Sequence, residues 1–184
     1  MGRWEPDAQG RLQQAALALY TERGFDQTTV AEIAERAGLT ERTFFRYFAD
    51  KREVLFAGQG PLLEQMTKGV VEAPDSANAL DAVSNGLQAV GAFFDGRRES
   101  SRLRQTVIDA NPALRERELS KRSAFAAAMA DGLLQRGVSE TIARLTGEAG
   151  ASVFHLAFEQ WLAADEHDLA YFVRGAIADL KAGF

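Results

Sequence analysis

Thr28-Thr29-Val30-Ala31-Glu32-Ile33-Ala34-Glu35-Arg36-Ala37-Gly38-Leu39-Thr40-Glu41-Arg42-Thr43-Phe44-Phe45-Arg46-Tyr47-Phe48 reads as two short helices joined by a tight turn, with the basic pair Lys51-Arg52 close behind. The Thr29 hydroxyl is placed to cap the first helix, and Glu32 three residues on completes a capping box. Val30, Ile33, Ala34 and Ala37 then share one face at helical spacing. Gly38 supplies the residue that most readily takes a left-handed backbone after a helix ends. Leu39 plugs the corner, and Thr40 caps a second helix running to about Phe48. Helix, glycine turn, helix with a polar and aromatic outer face is the arrangement that sets a recognition helix into a DNA major groove.

Working outward, Asp7 to Arg23 reads as a helix with Leu12, Ala15, Ala16, Leu19 and Tyr20 as its apolar stripe, stopped by Gly24. Asp50 caps a fourth helix with Glu53 in capping-box position, continued inward by Val54, Leu55, Leu62 and Met66; Gly58 and Gly60-Pro61 bend or break it. A fifth helix follows the loop Ala73-Pro74-Asp75-Ser76 and runs to about Phe94. Arg97 to Ile108 is a short basic helix. Asn111-Pro112, a cap followed by proline at the first helical position, opens a long helix to Arg136, stopped by Gly137. Ser139 caps an eighth helix reaching about Ala164, and Asp165-Glu166-His167-Asp168 link it to a ninth ending at Ala182-Gly183. No β-alternation persists. The expectation is an all-α chain of about nine helices, with a helix-turn-helix head over residues 1–52 and a helical-bundle body over 53–184.

In this region the chain resembles the tetracycline-repressor (TetR) family of bacterial transcriptional regulators. The residues that carry the resemblance are Gly24-Phe25, Thr28-Thr29-Val30, Ile33-Ala34, Ala37-Gly38, Thr40, Thr43-Phe44-Phe45-Arg46-Tyr47-Phe48, Asp50-Lys51 and Leu55, in order and without gaps over the first third of the chain. The resemblance implies a dimeric repressor, bound to a palindromic double-stranded DNA operator and released by a small-molecule effector.

Composition sets outer bounds. At 184 residues, 46% hydrophobic and 26% charged, the chain has the make-up of a globular protein with a buried core. Without cysteine it has neither disulfides nor thiolate metal sites. The N-terminus lacks a signal-peptide core and no apolar run approaches the ~20 residues that span a bilayer, so the expected location is cytoplasmic, away from the membrane. The net charge of −5 is unevenly placed: residues 1–52 hold eight basic and eight acidic residues, and the remainder thirteen and eighteen. Between Thr40 and Arg52 the bases Arg42, Arg46, Lys51 and Arg52 face only Glu41 and Asp50. A local basic patch on an acidic body suits specific binding over a weak background.

The expected DNA face follows from residue chemistry. Arg42 and Arg46, four apart, suit bidentate reading of guanine. Thr43 and Tyr47, also four apart, can donate to phosphates. Thr29 and Thr40 add hydroxyls beside helix N-terminal amides, which attract anions. The resemblance assigns a phosphate to Lys51. Phe45 stands where the family most often has tyrosine, keeping the ring for a thymine methyl or sugar but losing the hydroxyl. Glu41 either accepts from a cytosine amino group or pairs with solvent or Lys51. Phe44 and Phe48 are expected in the core.

In the body, Met66, Phe93, Phe94, Phe125, Met129, Phe154, Phe158 and Trp161 are candidates to line an effector site suited to an apolar or aromatic ligand, with plain core as the competing reading for each. Val153, Ala157, Phe172, Ala176 and Leu180, on the last two helices, are the candidate dimer interface implied by the resemblance. There is no Gly-rich phosphate loop, no metal-ligand spacing and no supported catalytic triad, so the chain is read as neither an enzyme nor a metal or cofactor carrier. The competing reading is a helical protein–protein adaptor whose head no longer binds DNA.

Overall fold

Leu12, Ala16, Leu19 and Tyr20 recur at helical spacing along Ala8–Arg23 and are 0–2% exposed, so the first helix forms by burying one stripe. A computed structural model describes residues 7–183 of the chain. The described residues fold into nine α-helices: α1 (Ala8–Arg23), α2 (Val30–Arg36), α3 (Glu41–Tyr47), α4 (Gln59–Val71), α5 (Ala79–Gly91), α6 (Arg98–Asp109), α7 (Pro112–Gln135), α8 (Glu140–Ala163) and α9 (Leu169–Ala182). Short 3-10 turns occupy Glu53–Phe56 and Ala92–Phe94, and no strand occurs among the described residues. The all-α expectation stands.

The expected fourth helix does not start at Asp50. Asp50 Oδ1 does accept from the Arg52 and Glu53 amides, at 2.7 and 3.3 Å, but only the 3-10 turn follows. The chain breaks at Gly58, whose φ of 84° is left-handed, before α4 begins. The Glu53 carboxylate receives Arg117 Nε at 2.6 Å. Ser139 makes no side-chain bond at the start of α8, whereas Asp168 caps α9 through the Tyr171 amide at 2.8 Å.

The chain divides into two compact units. One comprises the residues up to Ala57 together with Arg102–Glu118; the other comprises Gly58–Ser101 and the chain from Leu119 onward. The expected boundary at residue 52 therefore differs from the observed division. Val107, Ile108 and Leu114 supply the reason, because they are buried in one cluster with Leu12, Ile33, Phe44, Phe48, Val54 and Leu55. An arginine reinforces this first unit, the head. Arg104 donates Nε to the Leu55 carbonyl at 2.7 Å, pairs with Glu118 at 3.3 Å and lies 5.0 Å from the Phe56 ring centroid. Burial pulls its pKa down while Glu118 opposes the shift.

The second unit, the body, packs Leu62, Met66, Val70, Val83, Leu87, Met129, Leu133, Val173 and Ile177 into one cluster. Glycine permits a close helix approach within it. A Cβ on Gly86 would sit 2.7 Å from the Met66 carbonyl oxygen, so α4 and α5 cross backbone to backbone. Arg136 closes the end of α4, donating to the carbonyls of Val71, Ala73 and Pro74 at 2.6–3.0 Å.

Candidate nucleic-acid interface

The turn between α2 and α3 is made from backbone bonds. Gly38 takes φ 66°, its amide reaches Glu35 O at 2.9 Å, and the Leu39 amide reaches Ala34 O at 2.8 Å. Arg11 donates to the Ala37 carbonyl from α1, and a Cβ on Gly38 would meet that guanidinium at 2.8 Å. Glycine is thus favoured here by its φ, while a Cβ would only push the flexible Arg11 side chain aside.

Both caps form. The Thr29 hydroxyl accepts the Glu32 amide at 3.2 Å while the Glu32 carboxylate accepts the Thr29 amide and hydroxyl, each at 2.9 Å. These bonds, the Thr29 amide first, hold the Glu32 carboxyl below its usual range. A carboxylate therefore already lies at the α2 N-terminus, where Thr29 is expected to meet a phosphate. Thr40 caps α3 through the Thr43 amide at 3.2 Å, and the two threonine hydroxyls lie 3.1 Å apart.

α3 separates its residues cleanly. Phe44 is 0% exposed and Phe48 4%, as expected of core. Arg42, Phe45, Arg46 and Tyr47 are exposed, Phe45 at 55%, while Thr43 is half-buried. Arg46 donates to the Tyr47 hydroxyl at 3.1 Å with its guanidinium 4.9 Å from that ring's centroid. This pairing holds an arginine fork over an aromatic ring without burying either.

Lys51, to which the resemblance assigns a phosphate, is engaged within the head itself. Its ammonium donates to the carbonyls of Phe25, Thr28 and Asp26 at 2.9, 2.9 and 3.3 Å. A lysine has three N–H donors, and three carbonyls take them up. A Glu41–Lys51 pair is accordingly not formed.

The body residues sort less simply. Met66 and Met129 are fully buried core. Phe94, Phe125, Phe154 and Phe158 are half-buried and, with the buried Trp161, form a continuous group of rings with neighbouring centroids 5.1–6.1 Å apart. Phe93 extends the group at its edge, 6.0 Å from the Phe94 ring, and is 40% exposed, under the Arg97 guanidinium at 4.5 Å. None of these eight residues lines either of two open grooves in the body. One, of about 630 Å³, lies along α4 and α7 and includes Leu63, Thr67, Val71, Ala124, Ala128 and Asp131. The other, of about 390 Å³, lies along α8 and α9 around Gln160, Tyr171, Phe172 and Arg174.

Of the five dimer candidates, Val153, Ala157 and Ala176 are 6%, 0% and 6% exposed and belong to the body's own core cluster. Phe172 and Leu180 are half-buried. The outward apolar residues of α8 and α9 are Ile142, Leu145, Leu156 and Tyr171, exposed at 48%, 64%, 48% and 47%. Their signal was present in the sequence as a second stripe, since residues 142, 145, 149, 152 and 156 alternate spacings of three and four beside the inward stripe of Ala143, Gly147, Gly150 and Ala157.

Known proteins share this organisation. The family described as bacterial regulatory proteins, tetR family, matches residues 12–57, and the MftR C-terminal domain matches residues 77–184, more than half of the chain. The HTH-type transcriptional regulator TcmR of Streptomyces glaucescens is 37% identical over 90 residues, 48% of this chain and 40% of that protein, so the matched stretch is well under half the length of that relative. A Mycobacterium tuberculosis protein named as the mycofactocin biosynthesis transcriptional regulator MftR is 25% identical over 100% of this chain and 94% of its own length. In structure, FadR of Bacillus subtilis in complex with stearoyl-CoA aligns over 95% of this chain and 98% of its own with a TM-score of 0.62 at 18% identity, a likeness of fold. A capped two-helix head followed by a matching body of this kind identifies the chain as a member of the TetR family of bacterial transcriptional regulators.

Proposed function

We propose that the chain is a dimeric, ligand-responsive repressor that reads a palindromic operator with α3 and leaves it when a small apolar or aromatic effector binds the body. The observation that carries this reading is the division of α3, with Phe44 and Phe48 buried while Arg42, Phe45, Arg46 and Tyr47 stand exposed on a helix capped at Thr40. Arg42 and Arg46 act as base readers, Tyr47 and Thr43 as phosphate donors, and Phe45 as the contact to a thymine methyl or sugar. The exposed stripe of Ile142, Leu145 and Leu156 with Tyr171 pairs two copies, so that two heads meet successive major grooves. The ring cluster of Phe94, Phe125, Phe154, Phe158 and Trp161 supports an apolar effector, and the acyl chain of the stearoyl-CoA held by B. subtilis FadR is of that character. Gly58, in its left-handed conformation at the start of α4, is the joint at which an effector changes the spacing of the heads away from the ~34 Å groove repeat. The site of action is the cytoplasm.

The test is a gel shift of the DNA upstream of the protein's own gene at two salt concentrations. Arg42→Ala and Arg46→Ala should each weaken the preferred fragment by about 1–3 kcal/mol and blur its preference over bulk competitor. Equal binding of every fragment by the unsubstituted protein would remove the reading and favour an adaptor.

A further inference from the structure

We propose that Lys51 is a positioning residue of the DNA-reading head: gripped by α1 and the turn after it, it fixes the exit of α3 and so aims the helix, without itself touching a phosphate. This rests on α3 being the DNA-facing helix.

Seven residues make two helical turns, too few to hold shape or direction alone, so the pose of α3 is imposed by what grips it. Its start is fixed by the Thr40 cap and its inner face by Phe44 and Phe48. After Tyr47 the backbone turns extended at Phe48, with φ −134° and ψ 135°. Residue 51 is then held from two sides. Its carbonyl accepts the Tyr20 hydroxyl at 2.6 Å, and its ammonium reaches the Phe25, Asp26 and Thr28 carbonyls while lying 4.5 Å from the Phe25 ring centroid. The Tyr20 and Phe25 rings meet edge to face at 5.1 Å. Thr28 in turn donates its hydroxyl to Gly24 O at 2.9 Å, and the next residue is the α2 cap. One residue therefore links the end of α1, the entry to α2 and the exit of α3. Burial, and secondarily Asp50, raises the Tyr20 pKa, which keeps its hydroxyl a donor.

Charge and position leave different marks. A lysine on a phosphate contributes about 0.9 to the slope of log affinity against log salt, and its removal lowers that slope. A lysine that acts through geometry weakens binding at an unchanged slope. The experiment titrates the full chain, Lys51→Met, Tyr20→Phe and the double variant against one bound promoter fragment at four salt concentrations. It also records amide hydrogen exchange at Thr28 and Phe48 in the DNA-free protein. Both single variants should bind about five- to tenfold more weakly, the effect of one ordinary hydrogen bond. Slopes should match the parent, exchange at both amides should quicken, and the double variant should lose less than the two losses combined. The proposal is overturned if Lys51→Met lowers the slope by about one while Tyr20→Phe binds like the parent and exchange stays unchanged. Should Lys51→Met fail to fold, Tyr20→Phe, which removes one oxygen, decides alone. Faster exchange together with no DNA binding by the parent would keep the clasp and discard the DNA-facing reading of α3.

Discussion

α2 and α3 have seven residues each, whereas α7 and α8 in the body have 24 each. Helices of seven residues cannot sustain themselves, and the head supplies what they lack from polar groups at defined places. These are the Thr29–Glu32 box, the Thr40 cap, Arg11 on the Ala37 carbonyl, and Lys51 on three carbonyls. Long helices need little of this. α8 makes no side-chain cap bond, and the body holds it by burying Ala143, Gly150, Ala157 and Trp161 against neighbouring helices. The difference teaches where each unit can vary. The head specifies direction and has little freedom to change; the body specifies volume and can exchange apolar residues among core, pocket and partner surface.

The strongest way to break this contrast is to remove packing from the head. Phe44 is fully buried, so Phe44→Ala should cost about 3–5 kcal/mol. That is enough to unfold so small a unit and abolish operator binding, while the Trp161 indole signal in NMR keeps its native position. Loss of that signal at the same temperature as the head amides would mean that the two units melt as one. Next in size is the outward stripe of the body. Leu145→Glu with Leu156→Glu places charges on residues that are already solvent-facing within one copy, at 64% and 48% exposed. The variant should fold normally yet sediment as a monomer, and lose about 10²–10⁴-fold in affinity for a two-half-site operator as bivalency disappears. An unchanged sedimentation coefficient would assign the stripe another role.

How much of this was legible in the sequence follows the same division. The capping box, the glycine turn, the Thr40 cap and the burial of Phe44 and Phe48 could all be read directly, because each is a local motif with a fixed spacing. Lys51 could not, since its partners lie 23–26 residues away and a basic residue after a recognition helix reads equally well as a phosphate contact. In the body, the last helices, the stop at Gly137 and the link over Asp165-Glu166-His167-Asp168 were legible. The apportioning of Val153, Ala157 and Ala176 was not, because helical spacing reports that a face is apolar and says nothing of which chain covers it. Glycine shows the same limit: Gly150 would clash with Val83 and Met129 if it bore a Cβ, while Gly175 would meet nothing within 4 Å. The head's unexpected extension, Arg102–Glu118, was hidden because Val107, Ile108 and Leu114 return to it from far along the chain.

The smallest effect expected is with acid. Three head carboxylates are held below their usual range: Asp50 chiefly by the Arg52 side chain, Glu22 chiefly by Arg36, and Glu32 chiefly by the Thr29 amide. In the unfolded chain these groups take up protons near their ordinary values, about 4. Folding therefore keeps them ionised to lower pH, and the stability they contribute is fully present above about 5 and is lost as pH falls through the lower folded values. All three side chains are 35–48% exposed, which screens their pairs and keeps the effect modest. Acidification from about pH 6 to about pH 3 should then loosen the head amides before the Trp161 signal moves. Glu32→Gln, which retains the shape of the box but cannot titrate, should flatten part of that response. If the variant and the parent lose head amides at the same pH, the carboxylate in the box contributes geometry alone, and the head's rigidity comes from its neutral bonds.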